Sequence, residues 1–509
     1  LQAVNRGLIN PDRTDIGPRL GFAYAINNKT VVRGGYGLYY APLFYNANGQ
    51  DGLLGYAAGQ VNINGGLDSI ITLSNYPKLP LADPNAQYVG ELDRNDIDYY
   101  DKNYKLGRTA QYDLSFQREL PYNIALSVSY IGNKGTRLRS GFAQLNALPI
   151  EALKLGNALL TKRLIDVTQS DRDYAASVGF PLPASPDAVY PGFDNAVGRN
   201  SGTVAQALKP FPQYGTINNR LESQGQSWYN ALKIDLQRRF SNGIQIGSSY
   251  SFSKLITTAA EDLYGGSPLT GVLQNPADRR SLRSLSPNDV KHSLVVNYIV
   301  ELPFGKNKRF LNRGGLLDRL AGGFQISAIQ RYRSGTPLTP AIFGVQREFL
   351  DLVGIGGNLR PNLTGQPFFL DKAAQDASYV ASGGVNYRAI NIGAFARPKS
   401  FTGTTAPIGS DEYRAYYADP LAFLGSAAPT FDNLRTLPFY GEDLSILKKT
   451  RISETTSLEI RAEFFNIFNR GRFSAPDVNL DNPGNFGVQS RFSDIFQPRR
   501  IQLGARFIF

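Results

Sequence analysis

Histidine-based chemistry would depend on a single side chain, because His292 is the only histidine of the chain. A hydrolase of the serine type needs a histidine beside its nucleophile, and histidine sites for zinc need further ligands. His292 begins a stretch of alternating apolar and polar residues, on the side of Leu294, Val296 and Tyr298. The sequence therefore predicts a histidine at the end of a strand, no catalytic residue and no enzymatic activity, with a hydrolase as a minor alternative.

One acidic run offers oxygen ligands at close spacing. It contains Asp93, Asp96, Asp98 and Asp101 and lies in a long polar segment. Carboxylate oxygens at such spacing suit Ca²⁺, but the run lacks the glycine and the closing glutamate of an EF-hand. We predict a candidate calcium loop here and no other cofactor, with a solvated loop as the competing interpretation.

Tyrosines cluster at strand ends and within loops. Tyr39 and Tyr40 end a predicted strand, where aromatic residues are typical of a membrane interface. Two other groups lie inside long loops and are predicted to stack on a sugar or peptide solute, with a structural role as the alternative. These candidate substrate-binding residues are Tyr99, Tyr100, Tyr413, Tyr416 and Tyr417.

Two glycine-rich segments superficially resemble phosphate-binding loops. Arg33-Gly34-Gly35-Tyr36-Gly37 lies inside a predicted strand, where glycine permits close packing. Gly354-Ile355-Gly356-Gly357 lies in a loop without the flanking strand and helix that such a motif needs. Both segments are therefore interpreted as structural.

The composition narrows the class of protein. The net charge is +12, but the basic residues are dispersed, which argues against nucleic-acid binding and suits anionic lipid headgroups. No apolar run reaches the ~18 residues of a membrane helix. The chain has no cysteine, so disulfides and thiolate metal sites are excluded. A mean hydropathy of −0.26 is uninformative for strands that alternate apolar and polar residues.

The elements that position these residues are strands with a period of two. In one of them Leu232 and Ile234 alternate with Lys233 and Asp235. We predict an all-β fold, an antiparallel transmembrane β-barrel of outer-membrane type with eleven strands present. The predicted strands are 18–26, 30–40, 108–118, 124–132, 229–240, 244–254, 291–302, 324–333, 442–450, 457–468 and 500–509.

The lengths of the connections separate a barrel from a soluble β-sandwich, which also alternates. Short turns join the strands into pairs, and long connections join successive pairs. Short periplasmic turns and long extracellular loops are typical of outer-membrane barrels, whereas loops this long are uncommon in compact soluble domains. The predicted extracellular loops are 42–107, 134–227, 255–290, 336–440 and 469–498. Within the second loop, residues 145–167 have helical spacing.

The last strand ends with an aromatic residue that follows apolar residues at alternate positions: Ile501, Leu503, Ala505, Phe507 and Phe509. This pattern resembles the C-terminal signal read by the outer-membrane assembly machinery. The chain begins with leucine and contains no methionine, and an odd number of strands would leave open edges in lipid. We therefore expect residues 1–509 to be the C-terminal half of a barrel, with an open, curved sheet.

Six further segments resemble the Oar-like TonB-dependent receptors and occur in order along the chain, so that with the C-terminal segment the resemblance runs from residue 18 to residue 509. They are Pro18-Arg19-Leu20-Gly21-Phe22-Ala23, Val32-Arg33-Gly34-Gly35-Tyr36-Gly37, Tyr130-Ile131-Gly132-Asn133-Lys134-Gly135-Thr136, Gln237-Arg238-Arg239-Phe240-Ser241-Asn242-Gly243, Glu301-Leu302-Pro303-Phe304-Gly305-Lys306 and Arg461-Ala462-Glu463-Phe464-Phe465-Asn466-Ile467-Phe468-Asn469.

The resemblance implies a barrel of 22 strands, of which these would be the last eleven. The plug, the TonB-contacting segment and the regulatory domain of such receptors would lie outside this sequence. It further implies energised transport of a bulky solute (a peptide, a carbohydrate or a metal chelate) across the bacterial outer membrane. The implied partners are outer-membrane lipid, lipopolysaccharide and the TonB complex, with no nucleic acid. The alternative is a structural or adhesive barrel that binds surfaces through its loops.

Overall fold

The computed structural model of the chain describes most of the predicted strands and much of the long connections. The described residues are 10, 12–40, 97–99, 101–138, 143–194, 202–219, 223–258, 273–312, 314–344, 348–353, 358–453, 455–471, 473–490 and 498–509. Among the helices in these ranges, none has the length and apolar character required to cross a membrane.

Within the described ranges, eleven long strands form one antiparallel sheet, so the predicted count of long strands is confirmed. Each long strand pairs with the long strands next to it in the sequence, and the short strand Ser284–Leu285 adds a twelfth member to the sheet. Several strands are longer than predicted: the fourth continues to Leu138, and the fifth starts at Gly225. The strands are β1 (Arg19–Asn27), β2 (Thr30–Tyr40), β3 (Arg108–Leu120), β4 (Ile124–Leu138), β5 (Gly225–Ser241), β6 (Ile244–Thr257), β7 (His292–Glu301), β8 (Phe324–Arg333), β9 (Phe439–Arg451), β10 (Ser457–Phe465) and β11 (Arg500–Ile508).

The residue types in the short turns determine the geometry of the hairpins. Between β5 and β6, Asn242 and Gly243 have φ angles of 52° and 77°. Two consecutive positive φ angles produce the turn whose twist matches that of the flanking strands, and Asn-Gly is the preferred pair for it. Within β2, Gly34 lies beneath the ring of Phe22 on β1, where a Cβ atom would overlap the ring. The glycine-rich strand segment is therefore structural, as predicted.

The register places apolar and polar residues in alternate rows across the sheet. One row runs through Val32, Phe116, Val128, Ile234, Tyr250, Leu294, Tyr332 and Tyr440. The adjacent row runs through Arg33, Ser115, Ser129, Lys233, Ser251, Ser293 and Arg333. Because successive side chains of a strand point to opposite sides, the two rows lie on opposite faces of the sheet. We call the face of the first row the apolar face and the face of the second row the polar face.

The sheet is open. Within the described part of the chain, β1 pairs only with β2, and β11 pairs only with β10. The expectation of an open antiparallel sheet is confirmed, and β1 and β11 do not close a ring with each other. An unpaired edge leaves backbone groups without partners, which is costly in lipid.

The long connections fold together. The described helices are α1 (Gly156–Leu160), α2 (Gln169–Ser177), α3 (Val204–Ala207), α4 (Leu316–Ala321), α5 (Glu348–Val353), α6 (Lys372–Ala381) and α7 (Asp411–Tyr416). Short strands lie at Ile97–Tyr99, Ala143–Gln144, Ile217–Asn219, Ser284–Leu285, Asn362–Leu363, Asn386–Arg388, Phe395–Ala396 and Val488–Ser490. One hydrophobic core joins the connections β4–β5, β8–β9 and β10–β11, and we call this unit the loop body.

The predicted helical stretch 145–167 is helical in short pieces. A 3₁₀ turn at Ile150–Leu155 runs into α1, and Gly156, the first residue of α1, has a φ of 71°. Leu153 and Leu159 are fully buried in the loop body. The stretch is therefore part of a shared core, where glycine breaks what its spacing alone would predict as one helix.

Candidate functional site

A trough crosses the polar face over β5–β10. One part has a volume of about 390 Å³ and is lined by side chains that include Ile299, Ile329, Asp443 and Glu463. A second part of about 360 Å³ lies over β5–β7, and Asn297 borders both parts. Amides, hydroxyls and carboxylates lie among apolar side chains in the lining, so the trough offers hydrogen-bonding groups to a solute within a partly apolar surface.

Ion pairs along the polar face hold its charged side chains in place. Arg331 Nη2 lies 3.3 Å from Asp443 Oδ2, and Lys449 Nζ lies 3.0 Å from Glu459 Oε1. These pairs are partly exposed, so each contributes little to stability. Of these four residues Asp443 lines the trough, and its pairing with Arg331 holds that carboxylate in place.

A buried cluster ties the ends of the strands to the loop body. Arg435 Nη2 lies 2.7 Å from Asp289 Oδ2, and Asp289 Oδ1 accepts a hydrogen bond of 2.6 Å from the backbone N–H of Leu255. Arg435 Nη1 also donates to the carbonyl of Gly335 at 3.1 Å. The arginine therefore joins the ends of β6, β7 and β8. We call Asp289 and Arg435 the strand-end clamp.

Asp432 extends the strand-end clamp toward solvent. Its carboxylate pairs with Lys291 at 2.6 Å and with Arg435 at 2.8 Å. Hydrogen bonds from Lys291 and Arg435 hold the pKa of Asp432 below its ordinary value. Sequence reasoning missed this cluster because its members lie in segments that only the fold brings together.

The loop tyrosines that were predicted to bind solute occupy the core of the loop body. Tyr413 and Tyr417 are each 1% exposed, and their rings lie 4.8 Å apart. The hydroxyl of Tyr413 donates to the carbonyl of Leu155 at 2.7 Å, and that of Tyr417 donates to the carbonyl of Phe401 at 2.7 Å. Both residues are buried and both hydroxyls donate a hydrogen bond within the core, so their role is structural in place of the predicted contact with solute.

Burial also perturbs the hydroxyl of Tyr413, because it disfavours the charged form. Burial, reinforced by the neighbouring Tyr417, raises the pKa of Tyr413 well above its ordinary value. Tyr416 is half-buried, and its hydroxyl donates to the carbonyl of Ser400 at 2.6 Å. Of the remaining candidates, Tyr99 is 43% exposed and Tyr100 lies outside the described residues. Solute contact remains a prediction for Tyr99, Tyr100 and Tyr416.

The predicted calcium loop is only partly described. Asp93 and Asp96 lie outside the described residues, and Asp98 is described for its backbone alone. Asp101 Oδ1 accepts a hydrogen bond of 2.9 Å from the backbone N–H of Asn103 and so closes a local turn. Within the described ranges, no three acidic or histidine side chains converge on one point. Calcium binding by this run remains a prediction.

His292 lies at the start of β7 on the apolar face, as predicted. Its Nδ1 lies 2.9 Å from the hydroxyl of Tyr250, and its ring is 5.1 Å from that of Phe252. This aromatic surrounding is typical of the interfacial girdle of a membrane barrel.

A carboxylate on the apolar face was not predicted. Glu442 shares that face with Leu444, yet it is 2% exposed. Arg470, from the segment after β10, donates to both carboxylate oxygens at 3.0 Å and covers the charge. A buried carboxylate with a bidentate arginine is stable in apolar surroundings because its charge is paired and hydrogen-bonded.

Four residues of the predicted assembly signal lie in β11 and Phe509 directly follows it, and the apolar side chains of the signal are exposed. The exposed fractions are 56% for Ile501, 75% for Leu503, 56% for Phe507 and 93% for Phe509. Ala505 lies on the same face, opposite Ile460 of β10. One exposed apolar row at the edge of the sheet agrees with the sequence pattern, and recognition by the assembly machinery remains a prediction.

Comparisons with known proteins show which family the chain belongs to. Residues 2–502 match the family described as "Outer membrane beta barrel domain". No curated protein sequence matches the chain. Solved structures that it resembles include the ferripyoverdine receptor of the outer membrane of Pseudomonas aeruginosa (8% identity, TM-score 0.35, covering 97% of this chain and 33% of that one). They also include the ferric citrate transporter FecA (8% identity, TM-score 0.36, covering 96% of this chain and 38% of that one). A third is the outer membrane transporter YddB from Escherichia coli (8% identity, TM-score 0.37, covering 97% of this chain and 40% of that one).

The chain spans about one third to two fifths of the length of these proteins. Its own match covers nearly all of its residues, and its sheet has the apolar and polar faces that a barrel requires. The chain belongs to the outer-membrane β-barrel domain family and is an integral protein of the outer membrane.

Proposed function

We propose that this chain forms part of the barrel of a TonB-dependent transporter of the Oar-like type. The six Oar-like segments support the assignment, because they fall in chain order on strands and turns of the sheet. Pro18–Ala23 runs into β1, Val32–Gly37 lies in β2, and Arg461–Asn469 runs through the end of β10. The two unpaired edges support a barrel that is completed by further strands, since a closed sheet leaves no backbone group without a partner in lipid.

The proposed activity is energised transport of a bulky solute, a peptide, a carbohydrate or a metal chelate, across the outer membrane. The observation that carries this proposal is the trough on the polar face, which in a barrel lines the interior. Its amide and carboxylate groups can exchange hydrogen bonds with a polar solute in transit. The loop body supports a receptor role, because the long connections that form it start at the strand ends opposite the short turns.

A transport experiment tests the proposal. Cells with and without the gene are offered a radiolabelled ferric chelate, an oligopeptide and an oligosaccharide, each with and without a protonophore. We expect accumulation of one solute class that requires both the gene and the proton-motive force. Solute that binds the cells without entering them, regardless of the protonophore, would instead support an adhesive barrel.

A pair of variants connects the transport to the trough. Asn297→Trp places a large side chain in the trough, whereas Val296→Trp places it on the apolar face one residue away. We expect Asn297→Trp to reduce uptake several-fold at equal protein level and Val296→Trp to leave it nearly unchanged. Equal uptake by the two variants would mean that solute does not pass over this face.

A further inference from the structure

The single tryptophan of the chain, Trp228, lies on the apolar face near the start of β5. The guanidinium carbon of Arg283 lies 5.1 Å from the centre of its ring. Pairing of the short strand Ser284–Leu285 with the end of β6 brings this arginine to the ring. An arginine stacked on an aromatic ring keeps its donors free for an anion.

Two lysines complete a triangle of cations around the ring. Lys134 of β4 is directly opposite Trp228, and Lys254 of β6 is directly opposite Asn230, two residues further along β5. All three cations are exposed. The strand register therefore places three positive charges around one indole on the side of the sheet that faces lipid.

Within strands β3–β6, no carboxylate lies on the same side of the sheet as these charges. The carboxylates of β3–β6 are Asp113, Glu119 and Asp235, and each alternates onto the polar face. Among the described residues, no carboxylate forms an ion pair with Lys134, Lys254 or Arg283. Within the described part of the chain this positive charge is therefore left unbalanced, and an external anion can neutralise it.

The height of Trp228 matches that of lipid headgroups. Phe240, on the same face, lies near the short turn at the other end of β5, twelve residues away. At about 3.3 Å per residue this is about 40 Å along the strand. With a tilt of roughly 35–45° the vertical separation is about 28–32 Å, which is slightly more than the apolar band of about 25 Å. Trp228 and its cations therefore lie at the outer-leaflet headgroups.

We propose that Trp228, Arg283, Lys134 and Lys254 bind the phosphate of a phosphorylated glycolipid in the outer leaflet. Arginine recognises phosphate through paired donors, lysine adds positive charge, and tryptophan suits the boundary between acyl chains and headgroups. The site lies on the lipid-facing side of the barrel, so it is separate from the trough and from any solute that is transported.

Fluorescence of Trp228 tests the proposal directly. The protein is purified in detergent, and the emission of its Trp228→Phe variant is subtracted so that only this residue is observed. Lipid A that carries its phosphates should give a saturable change in emission that weakens with added salt, because exposed charges are screened. Dephosphorylated lipid A, phosphatidylethanolamine and inorganic phosphate should give little or no change at equal concentration.

Charge variants provide the matched comparison. We expect each of Arg283→Gln, Lys134→Gln and Lys254→Gln to weaken lipid A binding about five-fold, as expected for one basic residue near an anionic surface. Lys233→Gln, on the polar face of the same strand, should leave the affinity unchanged. Equal binding of dephosphorylated lipid A, or no weakening in all three variants, would overturn the proposal. Inorganic phosphate that binds as tightly as lipid A would identify a free-anion site instead. The salt dependence of the unsubstituted protein tests the proposal without any variant.

Discussion

The guanidinium of Arg435 lies 2.7 Å from the carboxylate of Asp289, and both groups are nearly removed from solvent, with 11% and 1% of the side chains exposed. The two residues are 146 positions apart in the sequence. Their pairing fixes where β6, β7 and β8 end and where the loop body begins. Loss of one partner would leave the other charge buried without compensation.

Arg435→Met should therefore destabilise the protein by about 3–5 kcal/mol, the usual cost of leaving a buried charge unpaired. Lys372→Met is the control, because Lys372 pairs with Asp376 on an exposed helix surface and such pairs contribute under about 1 kcal/mol. Urea denaturation of the protein in detergent measures both. Similar losses for the two variants would show that the clamp does not support the structure.

Tyr413→Phe should destabilise the loop body by about 1–3 kcal/mol, because it removes the buried hydrogen bond to the carbonyl of Leu155. Tyr122→Phe is the control, since Tyr122 is 80% exposed in the turn between β3 and β4. Hydrogen–deuterium exchange of peptides from the loop body measures the change. If Tyr413→Phe left exchange unaltered but reduced solute binding, the original prediction of a solute contact would be correct.

The loop body should lose stability in acid through Asp171. Burial raises the pKa of this carboxyl, but hydrogen bonds from Lys162 and Thr168 outweigh burial and hold the pKa below the ordinary 3.8. The folded state therefore binds the proton less readily than the unfolded state. The stabilising contribution is complete above the ordinary pKa and is lost as the pH falls below about 4 toward the lowered folded value.

Hydrogen–deuterium exchange of the α2 region between pH 6 and pH 2.5, corrected for the intrinsic rate, measures this effect. Asp171→Asn should exchange faster at pH 6 and should show a shallower dependence on pH. Asp173→Asn, an exposed position on the same helix, should resemble the unsubstituted protein. A pH dependence that Asp171→Asn does not alter would exclude this carboxyl as the cause.

The eleven strands could be predicted because the pattern that specifies each strand lies within its own residues and those of the adjoining turn. Alternation of Leu232 and Ile234 with Lys233 and Asp235 assigns both faces of β5, and Asn242-Gly243 specifies the turn that follows. Neither inference needs a distant residue. The same local reading placed His292 correctly on the apolar face.

The loop body could not be predicted, because its contacts join distant segments. Tyr413 meets Leu155 across 258 positions, and no periodicity signals such a pair. Tyr413 and Tyr417 were predicted to stack on a solute, with a structural role as the alternative, and both are buried in the core of the loop body. Glu442 escaped notice for the same reason, since Arg470 covers its charge only in the folded structure.

The orientation of the sheet in the membrane is the central claim, and single-cysteine labelling tests it most directly, because the chain has no native cysteine to remove. Cysteines at positions 232–236 of β5, in the protein assembled in its outer membrane, would carry a spin label one at a time. We expect the labels at Leu232, Ile234 and Leu236 to be relaxed by oxygen dissolved in lipid. The labels at Lys233 and Asp235 should be relaxed by a water-soluble nickel complex. Loss of this alternation, or its reversal, would contradict the assignment of an apolar face to lipid and a polar face to the interior of the barrel.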